Sequence, residues 1–209
     1  MPVPRSKDYF WRKDFFETLK AVAERAQQVP DWAEYGEFCL EYERGLRSSA
    51  FSILNRFLKR FEQRPFQDRK GFVSWLLNIV ENAPGRHMLI PHPLQRRLIE
   101  PTLLEWTLAD PASAEPHRWL GTRDDLEKAV AVDPLDQIAI RRLLRIILGG
   151  VDYAVHELPT GYLGNPDQDL IALERSEKLI NRLIDPAEKQ ALLAEVEELR
   201  AAVLGFLNR

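Results

Sequence analysis

The side chains in this sequence best suited to move a proton or to bind a metal ion are its four histidines: His87, His92, His117 and His156. His87 and His92 stand five positions apart with a proline between them, whereas a helical metal pair needs a spacing of four. His156 opens the segment HELPT, which lacks the second histidine of a zinc-binding helix. The sequence therefore predicts no metal site. It leaves open an enzyme in which His117 or His156 meets a carboxylate in a pocket.

Other catalytic signatures are absent from the sequence. No GxSxG, GxGxxG or GxxxxGK[ST] pattern occurs, so the sequence predicts neither an activated serine nor a phosphate-binding loop. The one cysteine, Cys39, lies between apolar neighbours and is expected to be buried and inert. These observations favour a protein that has no catalytic activity and no cofactor.

A basic segment extends from residue 44 to residue 70, with eight lysines and arginines against two acidic residues. Aromatic residues are interleaved with these bases, as in proteins that bind nucleic acid. The candidate phosphate contacts are Arg56, Lys59, Arg60, Arg64 and Lys70. The whole chain has a net charge of -3, which disfavours a general attraction to nucleic acid. Nucleic-acid association is therefore the alternative function and not the expected one.

Helices must position all of these residues, because apolar side chains recur at spacings of three and four. One such stripe consists of Leu192, Val196, Leu199, Val203 and Phe206. We predict an all-α fold, an irregular bundle of about eight helices in a single domain, 1–209, with a proline-rich loop at 84–93. Turn-forming residues at 110–116 allow an alternative division into subassemblies 1–109 and 112–209.

Membrane insertion is not predicted. No apolar run approaches the roughly 18 residues that a membrane span needs, and charged residues interrupt the N-terminal apolar stretch. We therefore expect no signal peptide, no transmembrane helix and a cytoplasmic protein.

Three pairs of a capping residue and a proline are expected to begin helices in the second half: Asp133-Pro134, Asn165-Pro166 and Asp185-Pro186. Glu188 stands three positions after Asp185 and predicts a capping box there. Since only a few residues link the last two helices, we expect these helices to form an antiparallel hairpin.

In the segment DLEKAVAVDPLDQIAI, the spacing of Leu126, Ala129 and Pro134 is typical of a junction between one helical hairpin and the next. Ala139 and Ile140 then supply the small and large apolar positions of the following helix. With these residues, positions 119–144 resemble a tetratricopeptide repeat. The resemblance implies two tightly packed helices and a surface that binds other proteins. No second copy with a period of about 34 residues is visible, so we expect one repeat-like hairpin inside an irregular bundle.

The expected function is protein-protein interaction, either by a repeat-like surface or as a small inhibitory, immunity-type partner. We expect the partner to contact residues between 115 and 165, including Trp119, Arg141, Arg142 and Tyr162. The sequence does not identify the partner, and it leaves open a homo-oligomer.

Overall fold

The computed structural model describes residues 12–208, and 78% of these residues are helical. No strand occurs among these residues, which confirms the all-α prediction. The α-helices are α1 (Lys13–Gln27), α2 (Ala33–Glu43), α3 (Arg47–Phe61), α4 (Phe66–Val80), α5 (Arg86–Leu89), α6 (His92–Leu94), α7 (Glu100–Ala109), α8 (Glu115–Leu120), α9 (Arg123–Val132), α10 (Gln137–Val155), α11 (Pro166–Ile180) and α12 (Pro186–Leu207). A 3-10 turn at Pro30–Trp32 precedes α2, and a π-helical turn at Gln95–Ile99 precedes α7. Short helices interrupt the predicted loop at 84–93, so the described residues contain more helices than the eight expected.

The contacts between Cα atoms divide the chain into two compact units, Met1–Leu108 and Ala109–Arg209. Each unit has its own apolar core, because its amphipathic helices bury their stripes against one another.

An aromatic cluster fills the core of the first unit. Tyr35 on α2 is fully buried, and its ring centroid lies 5.1 Å from that of Phe72 and 5.9 Å from that of Phe57. Its hydroxyl donates a hydrogen bond of 2.7 Å to the carbonyl oxygen of Leu89, which satisfies the one polar atom of a buried ring. Cys39 is also fully buried, as the sequence predicted.

Helices α1 and α2 approach closely at Gly36. A Cβ atom at this position would lie 2.9 Å from the carbonyl oxygen of Ala23 on α1. Only glycine fits such an approach without displacing backbone, so this residue sets the packing distance of the two helices.

The π-helical turn before α7 accommodates Pro101. Proline has no N–H group and its ring crowds the preceding turn, so a regular helix cannot continue through it unchanged. The wider turn at Gln95–Ile99 absorbs this misfit, and the chain continues directly into α7.

The second unit is organised around α10, which contacts α9, α11 and α12. Its buried residues form a continuous stripe: Ala139, Ile140, Leu143, Leu144, Ile147, Leu148, Val151 and Ala154. Leu126 and Ala129 of α9 are buried against this stripe. The pairing of α11 with α12 agrees with the hairpin expected from their short link.

Two of the three predicted helix starts are observed. The side chains of Asn165 and Asp185 accept hydrogen bonds from the first backbone N–H groups of α11 and α12. The prediction at Asp133-Pro134 was wrong, because Asp136 caps α10 instead. Asp133 ends α9, and its carboxylate accepts a hydrogen bond of 3.0 Å from the N–H of Leu135. A turn of three residues, 134–136, therefore lies between Asp133 and the helix.

Candidate functional site

Trp119 lies at the end of α8, close to two guanidinium groups. The guanidinium carbons of Arg118 and Arg142 lie 5.1 Å and 4.5 Å from its ring centroid, within the range of cation-π attraction. Arg142 also donates a hydrogen bond of 2.9 Å to the carbonyl oxygen of Arg118. Only 6% of Trp119 is exposed, so the ring itself offers little surface to a partner.

Asp136 connects this stack to the start of α10. Its Oδ2 accepts a hydrogen bond of 3.0 Å from Arg118, and its Oδ1 accepts hydrogen bonds from the N–H groups of Ile138 and Ala139. The Asp136 side chain is 2% exposed, so its charge depends on these partners for stabilisation. The arrangement is structural, because every oxygen of the carboxylate is used within the unit.

Tyr162 packs onto the last helix. Its ring stacks on Phe206 with a centroid distance of 5.1 Å, and its hydroxyl donates a hydrogen bond of 2.6 Å to Oδ2 of Asp169. Burial, and then the hydrogen bond with Asp169, raises the pKa of Tyr162 well above its ordinary value. The ring is half-buried and tethers the 156–165 loop to α11 and α12.

Arg141 marks one end of a groove between α10 and α12. Its Nε donates hydrogen bonds of 2.7 Å and 2.9 Å to the carboxylate of Glu188, so Glu188 binds α10 and does not complete the predicted capping box. The groove has a volume of about 310 Å³. Leu144, Leu148 and Leu192 supply its apolar lining. The groove thus combines an apolar floor with charged walls.

The outer face of α10 continues from this groove. We define it by six residues: Arg145, Ile146, Gly149, Gly150, Asp152 and Tyr153. All six are exposed, and the two large apolar side chains, Ile146 and Tyr153, are 38% and 66% exposed. Among residues 12–208, neither Arg145 nor Asp152 has a hydrogen bond or an ion pair. Sequence reasoning missed this face, although adjacent glycines inside an otherwise strong helix were a visible signal.

His117 is the only histidine among the described residues that lies in an ion-pair contact. Its Nδ1 is 3.6 Å from Oδ1 of Asp125, and its side chain is 14% exposed. Asp125 is also held by Thr122, whose hydroxyl donates to Oδ2 over 2.6 Å and accepts from the Asp125 N–H. This carboxylate therefore holds the hydroxyl of Thr122, which caps the start of α9. His87, His92 and His156 are exposed.

The basic segment is largely neutralised within the first unit. Arg60 donates a hydrogen bond of 3.0 Å to Glu34, Arg64 pairs with Asp31, and Arg56 lies 3.6 Å from Glu37. These three arginines are therefore held by carboxylates of the same unit.

The remaining two candidates of this segment, Lys59 and Lys70, have different surroundings. The Lys70 ammonium lies 4.2 Å from the ring centroid of Trp106, in a cation-π contact. Lys59 is exposed and, within the described part of the chain, has no ion pair.

No metal centre is formed by the part of the chain between residues 12 and 208. No three histidine, cysteine, aspartate or glutamate side chains in that part converge as a metal would require. None of the described helices combines the length and the apolar character of a membrane span.

Comparison with known proteins returns no relative of this chain: no family model, no curated protein and no solved structure matches it significantly. The geometry of the described residues is therefore the basis for inferring the function.

Proposed function

We propose that this protein is a helical protein-binding module and that its binding surface lies on the second unit. The surface comprises the outer face of α10 and the adjoining groove between α10 and α12. The observation that carries the proposal is the exposure of Ile146 and Tyr153 on one face. Beside them lie two charges, Arg145 and Asp152, that form no ion pair with any other of residues 12–208. Large exposed side chains grouped with charged residues are typical of surfaces that bind other proteins.

The local chemistry of this surface supports the proposal. Arg145 and Asp152 are exposed. Each can form hydrogen bonds with a bound protein without first losing a hydrogen bond or an ion pair to another of residues 12–208. The leucine floor of the groove can bury an apolar side chain of the bound protein. The resemblance of residues 119–144 to a tetratricopeptide hairpin also favours protein binding, as does the lack of a catalytic motif.

The basic segment is a weaker basis for function. Binding a nucleic acid through Arg56, Arg60 and Arg64 would require these side chains to exchange their carboxylate partners for phosphates. Binding through the outer face of α10 would require no such exchange among the described residues, so the geometry favours this face as the binding surface.

Site-specific photo-crosslinking tests the proposal. A photoreactive phenylalanine replaces Ile146 on the proposed surface or, as the control, Lys128, which is exposed on α9. We expect irradiation in cell lysate to yield discrete protein adducts from position 146 and none from position 128. Equal labelling at both positions, or no adduct at either, would contradict the proposed surface.

A further inference from the structure

We propose that the outer face of α10 binds the same face of a second copy of this chain, with the two helices antiparallel and crossing at Gly149. This inference rests on the proposed function and names the partner of that surface. A contact of a face with itself must be self-complementary, so that every residue meets a suitable residue of the identical face.

The charges on this face have the required arrangement. Arg145 stands four positions before Gly149, and Asp152 stands three positions after it. Seven positions correspond to about 10 Å along the helix axis, so these two side chains are too far apart to pair with each other. Neither has a partner among residues 12–208, which leaves one unpaired charge of each sign on either side of the glycine.

An antiparallel two-fold arrangement brings these opposite charges together. A residue at a given distance before the crossing point in one copy lies at the same height as the residue at that distance after the crossing point in the other copy. The two-fold symmetry also places a given flank of α10 in one copy beside the same flank of α10 in the other. Arg145 and Asp152 lie on one flank of α10, because a step of seven residues is nearly two full turns. Arg145 of one copy then lies within about 1.5 Å, along the axis, of the level of Asp152 in the other. Symmetry repeats this pair, so the interface contains two such ion pairs.

The other flank is complementary in the same way. Ile146 stands three positions before Gly149 and Tyr153 stands four after it, also seven positions apart. In the antiparallel arrangement Ile146 of one copy meets the ring of Tyr153 of the second copy. Both side chains are exposed in the single chain, and the contact would remove their apolar surface from water.

Gly149 and Gly150 permit the close approach. Both are in the interior of α10, and a Cβ atom at either position would contact nothing within 4 Å. Neither has a positive φ, so the backbone does not require glycine there. Since glycine weakens a helix, the fold of one chain gives no reason for two of them in succession. The close crossing of the α10 backbone of a second copy at this point would explain both glycines.

Analytical ultracentrifugation of the purified full chain, at about 1 μM and about 200 μM, tests the inference because a dimer forms by mass action. One helix from each copy makes a small interface, so we expect a Kd on the order of 10 μM. A monomer at both concentrations would overturn the inference.

Charge reversal then identifies the interface and its orientation. Arg145→Glu and Asp152→Arg each place two like-charged pairs in the dimer, and each should raise the Kd by on the order of 100-fold. The weakening by each single variant is specific to the antiparallel arrangement, because in a parallel arrangement each residue would already face its own copy and a reversal would only exchange one like-charged pair for another. An equimolar mixture of the two variants restores opposite charges at both antiparallel pairs. We expect this mixture to dimerise like the wild type. A mixture that stays monomeric would overturn the proposed pairing.

Gly149→Gln tests the crossing point without weakening the helix, because glutamine favours helix and has open space there. Gly71→Gln on α4 is the matched control, since a Cβ at Gly71 also meets nothing within 4 Å. We expect Gly149→Gln to abolish the dimer while both variants keep the wild-type circular dichroism spectrum. A dimer that survives Gly149→Gln would overturn the inference.

The crosslinking experiment distinguishes this inference from the proposed function. A photoreactive residue at position 146 in purified protein should give a product of twice the chain mass. A protein adduct in lysate without that product would overturn the second copy as partner and leave the proposed function standing. The loss of both products would overturn both.

Discussion

Arg118 and Asp136 form a hydrogen-bonded ion pair of 3.0 Å that joins the end of α8 to the start of α10. The other carboxylate oxygen of the same aspartate accepts hydrogen bonds from the first backbone N–H groups of α10. One carboxylate therefore fixes the helix start and the Arg118 side chain that lies over Trp119.

Replacing Asp136 should destabilise the second unit. We expect Asp136→Ala to lower the free energy of unfolding by about 3 kcal/mol, since it removes a helix cap and the partner of a largely buried arginine. Asp133→Ala is the matched control, because that side chain is exposed and accepts one turn hydrogen bond. Asp133→Ala should lower the free energy of unfolding by less than about 1 kcal/mol. Urea unfolding followed by circular dichroism measures both values, and equal losses would contradict the role given to Asp136.

Trp119 should behave as a core residue in mutagenesis. We expect Trp119→Ala to lower the free energy of unfolding by about 3 to 5 kcal/mol, because the 6% exposed ring would leave a cavity. Trp119→Phe should lower the free energy of unfolding clearly less, since the buried indole N–H has no hydrogen-bond partner among residues 12–208. Urea titrations of the two variants make the comparison. If Trp119→Ala were as stable as the wild type, the ring could not be part of the core.

Tyr162 stabilises the folded protein, and this stabilisation is lost at alkaline pH. Its pKa is raised in the folded state, so the native protein favours the neutral phenol over the phenolate. That contribution is complete below the unfolded pKa of about 10 and is lost as the pH rises through this value toward the folded pKa. We expect the unfolding free energy of the wild type to fall above pH 10, and Tyr162→Phe to fall less steeply. Urea midpoints between pH 8 and about 11 test this expectation, and parallel profiles for the two proteins would refute it.

Cys39 should report on the opening of the first unit. Burial raises the pKa of its thiol to about 12, although a hydrogen bond with Tyr35 acts in the opposite direction. We expect a thiol reagent at pH 8 to react at least on the order of 100-fold more slowly with native protein than with unfolded protein. Because the chain has one cysteine, the labelling rate reports on this site alone. Fast labelling of the native protein would show that α2 is not packed as described.

The ion pairs of the basic segment should limit its affinity for nucleic acid. We expect Glu34→Gln to increase DNA affinity a few-fold at low salt, because it removes a carboxylate that holds Arg60 at 3.0 Å. Glu17→Gln changes the net charge equally but affects only an exposed pair with Lys13. Fluorescence anisotropy with a labelled duplex compares the two variants. If both bound DNA alike, the ion pairs would not control exposure of the basic residues.

The sequence by itself determined the helical character of the chain and much of its local detail. Apolar spacing of three and four predicted the helices, because an amphipathic stripe needs only the 3.6-residue period of the backbone. Asn165 and Asp185 were readable as helix starts, since capping involves residues within three positions of each other. The buried thiol of Cys39 also followed from its neighbours. All of these features depend on interactions that are local in the chain.

The tertiary structure alone decided how distant residues pair. Arg118 meets Asp136 across 18 positions, and Arg60 meets Glu34 across 26. No periodicity specifies such partners, because helix packing selects them from many charges of the right sign. The same packing placed Trp119 under Arg142 and left the outer face of α10 uncovered. The sequence shows which face of a helix is apolar, but only the packed fold decides which exposed residues remain without a partner.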